Sequence, residues 1–160
     1  GGGSWRRRAS GGGSGAMVLG ACSPLLAEQG LDTSRVGFLG WSMGGYGAML
    51  LGSRLGPGRT AAIVAVSPAL WTSPGAAAPG AFDGAADYEA NSVWGLPALG
   101  SIPLRIDCGN DDPFYSATQQ FIAQLPSPPA GGFSPGGHDS AFWSSQLTGE
   151  LSWMAPTLTA

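Results

Sequence analysis

The sequence predicts an α/β fold, a parallel sheet with helices on both faces, in a single domain. Three observations carry that prediction. Short apolar runs bounded by turn residues alternate with stretches of helical periodicity. Glycine and proline punctuate the joins between them. At 160 residues, 43% of them apolar, the chain can bury one sizeable core but not two ordinary ones.

Residues 1–15, GGGSWRRRASGGGSG, are mostly glycine, serine and arginine and read as a flexible loop or linker. Residues 16–160 read as the folded domain. From Ala16 to Gln29 apolar residues return at helical spacing (Met17, Val18, Cys22, Leu25, Leu26), and Gly30 is a stop signal. Pro24 should kink this helix or mark its true start. Val36–Gly40 is a short apolar run of the kind found in buried parallel strands. A helix is expected from Tyr46 to Leu55, closed by Gly56-Pro57-Gly58, and a second buried strand from Ala61 to Val66. Residues 72–100 form a long excursion rich in Pro, Gly and Ala, helical only from Ala85 to Trp94. A third strand covers Leu104–Cys108. An amphipathic helix follows over Phe114–Leu125, with Phe121, Ile122 and Leu125 on one face. A short fourth strand is expected near Gly132-Phe133, and a closing helix from Ser140 to Met154.

Composition narrows the function. Net charge is −3, with seven arginines, no lysine and ten scattered acids, which gives no broad surface for nucleic acid or anionic lipid. The one basic cluster is Arg6-Arg7-Arg8, and Arg7-Arg8-Ala9-Ser10 resembles a kinase-recognised site. No apolar run approaches the roughly 18 residues that span a bilayer. One histidine and two distant cysteines, Cys22 and Cys108, do not make a zinc site and read as two buried free thiols. No metal or cofactor is expected. The chain does not open on methionine and shows no signal peptide, so it is expected to begin inside a longer protein. Abundant Gly, Ala and Pro suit a GC-rich bacterial genome.

Gly40-Trp41-Ser42-Met43-Gly44 matches G-x-S-x-G between a predicted strand and a predicted helix, the setting of a nucleophile elbow. So sharp a turn strains the serine and asks for little bulk two residues before and after it, at Gly40 and Gly44; Gly45 adds room for helix-to-strand packing. A serine hydroxyl needs a base to take its proton. The chain holds one histidine, His138, between the last strand and the last helix. That histidine needs a carboxylate in turn. Asp107 lies inside a strand, and Asp139 is adjacent in sequence, where side chains diverge. Asp111 and Asp112 follow the third strand, on the edge where Ser42 emerges. One of them can start the helix after Pro113 while the other serves the histidine. The chain order Ser42, Asp111 or Asp112, His138 is that of an α/β-hydrolase. Trp41, Trp71, Phe114 and Trp143 are candidates to line an apolar substrate pocket.

The segments GWSMGGYGAM, DCGNDDPFY and SPGGHDSAFW resemble an esterase family of α/β-hydrolases, over roughly residues 16–154. The family includes S-formylglutathione hydrolases, enterochelin esterases and mycobacterial mycolyltransferase antigens. The resemblance implies Ser42 as nucleophile, His138 as base and the Met43 N–H as an oxyanion donor. It implies Asp112 as the acid, because the family's acid lies two residues before an aromatic or aliphatic position, here Phe114. It also implies that this chain is a C-terminal portion, without the family's N-terminal strands or the loop that carries a second oxyanion donor. The expected activity is hydrolysis of a small-molecule carboxylic ester through an acyl-enzyme. An acyltransferase, or an inert fragment kept as a binding module, is the alternative. Many bacterial relatives are secreted or held at the cell envelope.

Overall fold

A computed structural model describes residues 14–159 of the chain. Residues 1–13 lie outside it, and with them Trp5, the three arginines and Ser10. The described chain opens with α1 (Ser14–Met17), a π-helical turn over Val18–Cys22, and α2 (Ser23–Glu28). Ser14 and Gly15, read as linker, are therefore helical. Pro24 is accommodated at the start of α2, where its missing N–H costs nothing, and the wide π turn precedes it. Met17, Leu25 and Leu26 remain exposed. Both cysteines are free, but only Cys108 is buried; Cys22 is half-buried because this helical stretch buries none of its side chains against the sheet.

The sheet has four parallel strands in the order β1-β2-β3-β4. They are β1 (Val36–Trp41), β2 (Thr60–Val66), β3 (Leu104–Gly109) and β4 (Ala130–Ser134). Every residue of β2 is buried, as befits a central strand covered on both faces. Its side chains alternate between two cores. Ile63 and Ala65 join a core with Met49 and Leu50 of α3 (Met43–Leu55) and Phe121 of α5 (Tyr115–Gln124). Ala62, Val64 and Val66 join the other, with Phe142 and Met154 of α6 (Ser140–Leu158). Helices thus cover both faces, as the alternating pattern predicts.

The excursion over 72–100 holds one short helix, α4 (Ala85–Ala90), between single 3-10 turns at Pro74–Ala76 and Pro97–Gly100. It ends earlier than the expected Trp94 because Asn91 turns its side-chain amide back onto Asp87, on both its carbonyl and its carboxylate. Asn91 also bolts the excursion to α3. Its carbonyl accepts from the Tyr46 hydroxyl at 2.8 Å and its side-chain oxygen from Arg54 at 2.8 Å. In the last helix, Pro156 sits inside a run that continues to Leu158, past the expected end at Met154. Among the described residues, no helix is long and apolar enough to cross a membrane.

Candidate active site

All the groups of interest lie where strands end. Ser42 follows β1 with φ 55° and ψ −123°, one of two non-glycine residues with positive φ among the described residues. Such a conformation costs about 1–3 kcal/mol and persists only where surroundings enforce it. They do so here. The Ser42 N–H donates to the Val66 carbonyl at 2.9 Å, while its own carbonyl accepts from Tyr46 and Ala69, each at 3.1 Å. The glycines divide this work differently from the sequence reading. A Cβ on Gly40 would overlap the backbone of Gly44, and one on Gly45 would sit 3.0 Å from the Gly40 carbonyl oxygen. A Cβ on Gly44 would meet nothing within 4 Å, because it leaves the first turn of α3 on an open side. Close packing therefore requires Gly40 and Gly45, and not Gly44.

The loops after β3 and β4 are zipped together. The N–H groups of Asn110 and Asp111 donate to the carbonyls of Ser134 and Gly136, each at 2.9 Å. A side chain on Gly109 would overlap the Gly136 carbonyl, so the two loops touch backbone to backbone. This brings Asp112 under His138. The four sequence candidates for the carboxylate separate cleanly. Asp107 is buried and paired with Arg105 at 2.6 Å. Asp139 caps α6, accepting from the Phe142 N–H at 2.9 Å. Asp111 is exposed. Asp112 is buried, with Oδ2 2.8 Å from His138 Nδ1 and Oδ1 accepting from the Phe114 N–H at 2.8 Å. One oxygen of Asp112 thus closes the turn that leads into α5 while the other meets the histidine, and neither aspartate side chain caps the helix.

His138 Nε2 lies 2.9 Å from Ser42 Oγ. Ser42, His138 and Asp112 therefore form one continuous line of hydrogen bonds. Met43 is the first residue of α3, so its N–H is among the helix's unpaired donors, one residue from Ser42. No family model and no curated protein matches this sequence. Solved structures do. An S-formylglutathione hydrolase from Agrobacterium tumefaciens superposes with a TM-score of 0.74 at 23% identity, covering 91% of this chain and 58% of that one. A ferulic acid esterase gives 0.77 at 20% identity, covering 97% and 65%. Fluorophosphonate-binding serine hydrolase F from Staphylococcus aureus gives 0.68 at 21% identity, covering 94% and 66%. The fold is that of the α/β-hydrolases. The chain spans 58% and 65% of the first two structures' length.

On this α/β-hydrolase sheet the histidine stands between two aromatic walls. On one side Trp143 meets its ring edge-to-face at 5.2 Å and stacks on Trp41 at 6.1 Å. Trp41 is 45% exposed, and with Ser140, Trp143, Ser144 and Leu147 it lines a cleft of about 180 Å³. On the other side Phe114 lies 5.4 Å from the imidazole and Trp71 5.7 Å from Phe114. The Trp71 carbonyl accepts from the Tyr88 hydroxyl at 2.6 Å and from Trp94 Nε1 at 2.8 Å, which fixes the loop that carries it. Phe82, which the sequence reading passed over, completes this wall edge-on to Trp71. No local pattern marks it; only the folding-back of the excursion brings it there.

Cys108 lies in β3, four residues before Asp112. Burial first, then the Asp112 charge, pushes its thiol up to about 11, so it stays a neutral thiol. Among the described residues no group of three His, Cys, Asp or Glu side chains could hold a metal ion.

The two acidic neighbours give a direct prediction. If Asp112 orients His138 for a reaction at Ser42, Asp112→Asn is expected to lower kcat by about 10⁴-fold, because the amide would hold the imidazole in the wrong tautomer. Asp111→Asn should change it by no more than about twofold, as for an exposed group without a structural task. Steady-state rates on one activated ester distinguish them.

Proposed function

We propose that this chain is a serine hydrolase of carboxylic esters, with Ser42 as nucleophile, His138 as general base and Asp112 as the orienting acid. The observation that carries the reading is the pair of hydrogen bonds, 2.8 Å and 2.9 Å, joining Asp112 to His138 and His138 to Ser42. Fold alone does not imply function. The esterases and serine hydrolases among the structural neighbours support the reading at the level of reaction class.

A carboxylate only accepts hydrogen bonds, so Asp112 holds the proton of His138 on Nδ1 and leaves Nε2 to accept from the Ser42 hydroxyl. As Ser42 Oγ bonds to the ester carbonyl carbon, its proton passes to Nε2. The negative charge that develops on the carbonyl oxygen lies toward the Met43 N–H at the positive end of α3. When the carbon–oxygen bond to the alcohol breaks, Nε2 returns the proton to the leaving alkoxide. Water then attacks the acyl-enzyme by the same route in reverse. Asp112 stays ionised throughout and stabilises the imidazolium. The aromatic walls around Trp41 and Trp71 favour esters with apolar arms.

The test is a pre-steady-state one. With p-nitrophenyl acetate, a burst of nitrophenol equal to the enzyme is expected, with an acetyl group on Ser42 found by peptide mass spectrometry. Product analysis with added alcohol separates a hydrolase from an acyltransferase. Release of nitrophenol at the same slow rate by the chain and by its Ser42→Ala variant would overturn the proposal.

A further inference from the structure

The helix that follows His138 carries an acid where an apolar residue belongs. Phe142, Glu150 and Met154 are the buried residues of α6, and they fall on one stripe at multiples of four. Glu150 is 0% exposed, and neither of its carboxyl oxygens has a hydrogen-bond partner. A buried charge without a partner is among the costliest arrangements in a protein.

The groups around it do not relieve that cost. α6 packs on β1, β2 and β3. No residue of β1 or β2 is titratable. β3 contributes Arg105 and Asp107, already bound to each other through two contacts of 2.6 Å and 3.1 Å. Cys108 donates to the Gly109 carbonyl instead, at 3.7 Å. Arg105 reaches α6, its Nη2 standing 3.8 Å from the position a Cβ on Gly149 would take. An ionised Glu150 would place a second carboxylate beside one guanidinium in a dry interface. Burial first, then the charge of Asp107, pushes its carboxyl up to about 7 against the weaker pull of Arg105.

We propose that Glu150 is a proton-dependent positioning residue: its neutral form seats α6 on the sheet and so holds His138 opposite Ser42, and its ionised form loosens that seat. The lever is short. Asp139 caps α6, and His138 immediately precedes that cap, so any movement of the helix moves the base. The packing part of this inference stands on Glu150 and its neighbours alone; the effect on activity rests on the function proposed above.

In the folded chain Glu150 holds its proton more tightly than the ordinary glutamate value of 4.5. Its contribution to stability is therefore complete below about pH 4.5 and is lost as the pH rises through about 7. Above that the loss is constant. The span between those values corresponds to about a hundredfold or more in the folding equilibrium constant.

The experiment is urea unfolding of the whole chain, Glu150→Gln and Glu150→Met at intervals from pH 4.5 to 8.5. The rate of Ser42 modification by a fluorophosphonate is read at each pH. The ratio of the variants' folding constants to that of the parent chain is expected to grow about a hundredfold across this range. Above pH 7 the variants should also be modified faster than the parent. Parallel unfolding profiles for the three proteins would overturn the proposal. Should neither variant fold, the parent's own curve decides: stability that does not fall between pH 5 and pH 8 overturns it. If Ser42 takes no label in any of the three, the proposed function fails, and the unfolding profiles still judge Glu150.

Discussion

Replacing Ser42 by alanine is expected to lower kcat on an activated ester by about 10⁶-fold, and His138→Ala by a similar factor. The two losses should not add. In the double variant the rate should match that of either single one, because a nucleophile and its base act as one unit. The structural basis is the single 2.9 Å contact between His138 Nε2 and Ser42 Oγ. Neither substitution removes a group that the fold needs. Ser42 anchors its turn through main-chain N–H and carbonyl, which alanine retains. His138 lies on a loop held by Gly136 and by the cap of α6. Both variants should therefore keep the parent's unfolding midpoint to within a small margin. Additive losses would mean that the residues act independently, contrary to the proton transfer proposed here.

The second large effect concerns the elbow itself. Gly40→Ala is expected to destabilise the chain by about 3 kcal/mol or more, since the added methyl would overlap backbone that has nowhere to go. Gly44→Ala should behave oppositely. Nothing lies within 4 Å of its would-be Cβ, and alanine suits a helix better than glycine, so a gain of up to about 1 kcal/mol is expected. Urea denaturation with a shared slope measures both. Equal losses at the two positions would show that the turn needs both glycines of the pentapeptide alike.

The sheet was most legible at β2 and β3, the central strands that are buried on both faces. Ala61–Val66 reads as a strand without context, and the structure extends it by Thr60 alone. Val36–Gly40 gains Trp41, and Leu104–Cys108 gains Gly109. Helix starts were less legible. α3 begins at Met43 and not at Tyr46, because Ser42 turns the chain directly into a helix and the glycines after it are helical. Glycine in a sequence signals a break, and only the geometry of the elbow reverses that signal. Asp111 and Asp112 could not be separated from residue type and spacing alone, since both follow β3. What separates them is burial, set by the close approach of the β3 and β4 loops at Gly109 and Gly136. The wall built from Phe82 and the acid at Glu150 carried no readable mark. One depends on a long excursion folding back, the other on which face of α6 meets the sheet.

The most direct measurement treats the folded chain with a fluorophosphonate and maps the adduct by mass spectrometry, with Ser42→Ala and His138→Ala alongside. A phosphonyl group on Ser42 in the parent chain, absent from the first variant and strongly slowed in the second, is the predicted result. A folded chain that takes no label at Ser42, or takes it equally fast without His138, would contradict the account.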